Sequence, residues 1–196
     1  MILSNISIHQ VLDQGRLVIN PQPSPRQLSD VSAKCPYQTS AVDLCLGDEI
    51  AFFNQGNLPP VQIDLRKGNF NTLFGPHSTT CKLTEEQPYV LRPNKLVLGR
   101  THEAVELPLF GDGISLAARV EGKSSYARCG LLVHFTAPTI HAGFKGTITL
   151  ELINLGPLDI ALYPRMPICQ LIIEQVDGIP FRNDSQFQNQ LRPGGR

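Results

Sequence analysis

The sequence predicts an all-β fold, a distorted β-barrel or jelly roll with a few short helices. Two observations carry that prediction. Many short runs rich in Val, Ile, Leu and Thr follow one another, and Gly, Pro and Asn punctuate them. The chain is also long enough, at 196 residues with 41% apolar side chains, to bury one core without disulfides or metals.

The elements follow in order. Ser4 is placed to cap a short helix that carries Ile8, Val11 and Leu12 at helical spacing and stops at Gly15. Residues 21–40, rich in Pro, Ser and Gln, read as loop. Strands are expected at 49–54, 61–65, 88–92, 95–102, 114–120, 131–135, 146–154, 158–163 and 168–175. The stretch 66–86 has few apolar residues and reads as an irregular excursion. Residues 1–182 are expected to form one domain. The polar tail 183–196 reads either as a loose end or as a flap that orders over a ligand.

Charge and cysteine content narrow the function classes. There are 17 basic and 17 acidic side chains, so the formal net charge is zero, which disfavours non-specific nucleic-acid or membrane binding. No run of about 18 apolar residues occurs, and the first residues lack the pattern of a secretory signal. The five cysteines are scattered with no CxxC pair, so free thiols in a cytoplasmic protein are expected.

Chemistry concentrates between Val120 and Asn154. Gly122, Lys123, Ser124 and Ser125 are followed by Arg128. If Ser124 begins a helical turn, free backbone N–H groups, two hydroxyls and two cations converge on a spot suited to phosphate. The same residues also suit a plain capped turn with solvated charges. A Walker A loop is excluded, because Ala117 stands where its first glycine is needed. Along 147–154, Thr147, Thr149, Glu151 and Ile153 share one strand face. Glu151 is either an ordinary exposed carboxylate or a general acid/base lining a pocket. His134 and His141, seven apart, do not match a usual metal spacing and read as one hydrogen-bonded and one surface histidine. The H-x-E with P-C-x-x-C pattern of zinc nucleobase deaminases is absent; His102-Glu103-Ala104 has the wrong order.

The run E-G-K-S-S-Y-A-R-C-G-L followed by V-H-F-T-A-P-T-I-H-A-G-F-K-G-T-I-T-L-E-L-I-N resembles the signature of the dCTP deaminases, within the trimeric dUTPase superfamily. Supporting matches are V-L-D-Q-G-R-L near the start, Ala41–Leu44 with Leu46-Gly47, Leu91–Thr101, Pro164–Leu171 and the tail Gln186–Gln190. The resemblance implies a dUTPase-like fold and a homotrimer with sites between subunits, and neither a nucleic acid nor a membrane partner. The implied activity is zinc-independent hydrolysis of dCTP to dUTP and ammonia. Catalysis would fall to Glu151, with Ser124 and Arg128 polarising the water. Lys123, Ser124, Ser125 and Arg128 would meet the triphosphate. His141 would stand at the sugar, Thr149 would face the base, and Gln186, Phe187 and Gln190 would belong to a C-terminal lid. No tightly bound cofactor is implied; Mg²⁺ would arrive with the triphosphate.

Three departures from the family pattern stand out. His141 occupies a position where many relatives have Asp, which disfavours dUTP hydrolysis and a bifunctional dUMP-forming reaction. Lys123 replaces an Arg of some relatives, and Gln186 a Lys. The alternatives are therefore a dUTP diphosphatase or bifunctional enzyme, and a non-catalytic nucleotide-binding module on the same fold.

Overall fold

The computed structural model describes residues 1–27, 34–53, 64, 66, 74–111, 114–183 and 188–193. The expected strand at 61–65 lies almost wholly outside them. Helix α1 spans Asn5–Asp13; the Ser4 hydroxyl accepts from the Ser7 N–H at 3.2 Å, and Ile8 is fully buried. The expected cap and face are both present.

The strands are β1 Val18–Asn20, β2 Tyr37–Gln38, β3 Ala41–Cys45, β4 Glu49–Phe53, β5 Ser78–Lys82, β6 Tyr89–Leu91, β7 Leu96–Glu106, β8 Ser115–Gly122, β9 Leu131–Val133, β10 Thr139–Ile140, β11 Lys145–Asn154, β12 Ile160–Leu162 and β13 Pro167–Val176. One sheet runs β5-β4-β7-β11-β9, with β1 also paired to β7; a second runs β10-β8-β13-β3-β2; β12 and β6 form a small two-stranded sheet. Among the described residues the strands pair antiparallel throughout. The two large sheets enclose one core and do not close into a barrel, so the architecture is of the jelly-roll type.

Alternation builds that core. On β11 Ile148, Leu150 and Leu152 are buried while Thr149, Glu151 and Ile153 are only half-buried. On β13 Ile168, Leu171 and Ile173 point inwards with Leu44, Leu116 and Val120 from neighbouring strands. Each such aliphatic side chain contributes about 1.5–3 kcal/mol when fully buried.

Residues 78–82 correct the reading of 66–86 as irregular. Ser-Thr-Thr-Cys-Lys forms β5, in register with β4 from Glu49↔Lys82 to Phe53↔Ser78. Its side chains are mostly exposed, as suits an edge strand, so hydrophobic periodicity could not reveal it. The strand expected to end at 102 continues to Glu106. Short strands β1, β2, β3 and β10 add to those expected from periodicity, and β2 falls inside the expected loop 21–40.

Candidate active site

A cavity of about 880 Å³ opens beside β11 and includes Thr149, Glu151, His134, His141 and Gln190 in its lining. Four residues assigned to the site from the sequence, Glu151, Thr149, His141 and Gln190, therefore meet here. Phe52, Phe53, Phe74, Leu98 and Phe144 make much of the remaining wall. The Phe53 and Phe74 rings meet edge-on, with centroids 4.7 Å apart.

Glu151 is placed by its strand. Its backbone pairs with Leu98 on β7, and its carbonyl accepts from the His134 N–H at 3.0 Å. The carboxylate oxygen Oε2 lies in contact with His134 Nδ1, whose side chain is 6% exposed against 36% for Glu151. His134 Nε2 lies 2.6 Å from the Ala137 carbonyl. A carbonyl can only accept, so Nε2 carries a hydrogen, and contact between Nδ1 and a carboxylate then requires a further proton between them. Burial pushes the His134 pKa down, but the hydrogen bond and charge of Glu151 and the Ala137 carbonyl outweigh it, and the net shift is upward. His134 is the hydrogen-bonded histidine of the expected pair and His141 the exposed one, but the sequence did not point to Glu151 as the partner of His134. Only the β9–β11 pairing, Leu152↔Val133, brings it beside Glu151, and spacing carries no trace of that.

The phosphate-type turn lies elsewhere. Helix α2, Ser124–Ala127, is a single turn entered from β8. Ser124, Ser125 and Arg128 are exposed, and none of them lines the Glu151 cavity. Arg128 instead lines a second cavity of about 800 Å³ with Tyr126, Leu131, Leu155, Leu158 and Met166. The turn is seated by backbone packing: Gly130, at φ +91°, lies so close to Gly156 that a Cβ would come within 2.2 Å of the Gly156 nitrogen. Lys123 is committed within the chain, with Nζ 2.7 Å from Asp43 Oδ2 and both side chains largely buried.

The tail segment 188–193 docks along β11. The Gln190 carbonyl accepts from the Thr147 N–H at 3.1 Å and the Thr147 hydroxyl at 3.0 Å, while Gln190 Nε2 donates to the Thr147 carbonyl at 2.7 Å. Asn189 N–H donates to the Lys145 carbonyl at 2.7 Å, and Gln188 bonds Lys145 N–H at 3.0 Å and the Gly143 carbonyl at 2.9 Å. Gln190 is 5% exposed. Gln186 and Phe187 lie outside the described residues.

The jelly-roll-type β fold thus holds a histidine-clamped carboxylate at the wall of an open cavity. The chain belongs to the dCTP deaminase-like family, whose model matches residues 2–176. It is 36% identical over 199 residues to a protein of Methanosphaera stadtmanae named dCTP deaminase, dUMP-forming, covering 98% of this chain and 91% of that one. A protein of the same name from Dictyoglomus turgidum is 40% identical, covering 98% and 92%. A dCTP deaminase of a Shewanella species is 35% identical over 179 residues, covering 91% and 86%. Among solved structures, the fold is similar to the 2′-deoxycytidine 5′-triphosphate deaminase of Agrobacterium tumefaciens, with TM-score 0.58 and 20% identity. That match covers 88% of this chain and 47% of the other, so this chain spans about half its length. Among the described residues, no helix is long and apolar enough to cross a membrane.

Proposed function

We propose that the chain hydrolyses the 4-amino group of dCTP, giving dUTP and ammonia, in sites completed by a neighbouring copy within a homotrimer. The observation that carries this reading is Glu151, held at one carboxylate oxygen by His134 at the wall of the large cavity. The clamp leaves Oε1 for a water. Glu151 accepts a proton from that water as its oxygen bonds to C4 of the cytosine. The C4–N4 bond then breaks, and the proton passes to the departing amine. His134 occupies Oε2, so Oε1 is the oxygen that accepts the water's proton.

Ser124 and Arg128 supply the polarising hydroxyl and guanidinium. Arg128 stays charged at any working pH, so it stabilises hydroxide character without titrating. Arg128 and Glu151 open on separate cavities of one chain, which supports a site shared between copies. Leu155 and Leu158 are 56% and 74% exposed at the rim of the Arg128 cavity, an apolar surface suited to that neighbour. Ser125 meets the triphosphate, which enters as its Mg²⁺ complex. Lys123, bound to Asp43, holds the turn in place as well as lending it charge. Thr149 faces the base and His141 the sugar. Residues 1–182 act as one domain, and the tail 183–196, with Gln186, Phe187 and Gln190, covers the nucleotide. Free thiols suit the cytoplasm.

A second reading, in which dUTP goes on to dUMP, is favoured by the relatives named dUMP-forming. His141, a non-carboxylate at the cavity, opposes it. Ammonia and pyrophosphate, followed separately with dCTP or dUTP and Mg²⁺, distinguish the two. Ammonia alone supports the deaminase; both products from dCTP support the second reading. Tight binding with neither product makes the chain a binding module. Glu151→Gln is expected to lose ammonia release by 10²-fold or more, about the contribution of a positioned acid/base group, while keeping dCTP affinity. Normal turnover by that variant refutes the assignment.

A further inference from the structure

The pairing of β11 with β7 is interrupted beside the cavity. Thr147 stands opposite Ala104 and Thr149 opposite Arg100, so Ile148 alone faces three residues, Thr101, His102 and Glu103. Two extra residues on β7 keep the in–out alternation the same on both sides of the bulge. They also take the backbone of β7 away from the Ile148 N–H, whose ladder partner is lost.

The side chain of Thr101 fills that gap. Its Oγ1 accepts from the Ile148 N–H at 2.9 Å and donates to the Glu103 carbonyl at 2.6 Å, and the residue is fully buried. One hydroxyl thus satisfies β11 and fixes the shape of the bulge. The bulge is anchored from behind as well. Cys45 N–H donates to Glu103 Oε2 at 2.9 Å, Leu46 bridges Thr101, and Gly47 N–H donates to the Arg100 carbonyl at 2.8 Å. On its other edge the same stretch of β11 is gripped by Gln190 through Thr147. Ile148 is therefore held between the bulge and the tail. Thr149 and Glu151 follow it at one and three residues on the same strand.

We infer that Thr101 is a positioning residue for the reaction: its hydroxyl, standing in for a main-chain carbonyl, sets the course of β11 and so the aim of Thr149 and Glu151 into the cavity. This rests on the deamination proposed above. It assigns to Thr101 no contact with substrate. A misaligned general base slows chemistry far more than it weakens binding, and a shift of about 1 Å costs on the order of 10²-fold.

The decisive comparison is Thr101→Ser against Thr101→Ala, which differ by one oxygen, with Thr101→Val as the isosteric third variant. Steady-state kinetics with Mg²⁺–dCTP are measured well below each variant's melting midpoint, and exchange of the Ile148 amide is followed in parallel. Thr101→Ala and Thr101→Val are expected to lose kcat by ten-fold or more with KM changed by less than about three-fold, and to lose Ile148 protection. Thr101→Ser is expected to recover both. Equal kcat for the Ser and Ala variants overturns the inference, as does unchanged Ile148 protection in Thr101→Ala. Loss in KM alone overturns it too. If the wild-type chain releases no ammonia from dCTP, the proposed reaction fails, and the positioning role is then decided by Ile148 exchange across the same variants.

Discussion

Replacing Gly146 with Ala tests how firmly the tail is held over the cavity. Gly146 has φ +143°, and a Cβ there would lie 3.0 Å from both the nitrogen and the carbonyl oxygen of Gln190. The hydrogen bonds that dock residues 188–190 on Gly143, Lys145 and Thr147 sum to about 6 kcal/mol at about 1 kcal/mol net apiece. Ordering the six residues 188–193 costs about 6–12 kcal/mol. Burying Gln190 and Pro193 returns a few kcal/mol at roughly 25 cal/mol per Å². The docked tail is therefore close to balance with the released one. An L side chain forced to that φ costs about 1–3 kcal/mol, and the backbone of Gln190 must also give way. That strain is present whether the tail is docked or released, so docking weakens only through the contact with Gln190: losing one or two of those hydrogen bonds, at about 1 kcal/mol each, is about 5- to 30-fold.

The assay is amide exchange at Thr147 and Asn189, whose N–H groups bond across the tail contact, together with dCTP affinity. Both amides should lose protection in Gly146→Ala, and affinity should fall. In a chain lacking residues 188–196 the same substitution should cost less, because the clash has gone and only the backbone strain remains. Thr147 and Asn189 amides that stay as protected as in the wild type would refute the reasoning.

Two further outcomes follow from single groups. Burial raises the pKa of Glu103, a residue 4% exposed. A raised folded-state value means that the stability it contributes is complete below the unfolded value near 4.5 and is lost as pH rises through the folded one. Glu103→Gln should therefore melt higher than wild type at pH 8, with the gap closing towards pH 4.5; a gap independent of pH would contradict this. Arg165 sits at φ +64° in the turn between β12 and β13. Arg165→Gly should relieve about 1–2 kcal/mol and lose about half of that to chain entropy, raising Tm by a few degrees. A lowered Tm would show that the guanidinium contributes more than the strain costs.

The sequence made some parts of this molecule legible and left others hidden, for identifiable reasons. α1, β8, β11 and β13 were readable because each carries a buried face at a regular period, with Ser4, Ile148, Leu150 and Ile173 among the markers. β5 was not, because both of its faces are polar enough to pass for loop. At the cavity, Glu151 and Thr149 follow from their strand face. His134 and Thr101 do not, since one follows the end of β9 and the other lies on β7, and only the pairing register brings them to β11. Lys123 looked like a free cation beside a phosphate turn. Its partner Asp43 is eighty residues earlier, and only the placing of β3 and the end of β8 on either side of β13 brings the two together.

The most direct test of a site divided between copies uses two variants that are each inactive, Glu151→Gln and Arg128→Ala. Unfolded and refolded together in equal amounts, they should assort randomly. About one quarter of the sites would then pair a native Glu151 with a native Arg128 from the neighbouring chain, if a cyclic homo-oligomer forms. Ammonia release should recover to about a quarter of the wild-type rate. A mixture as inactive as either variant alone would mean that both residues serve from one chain or that they do not share a site.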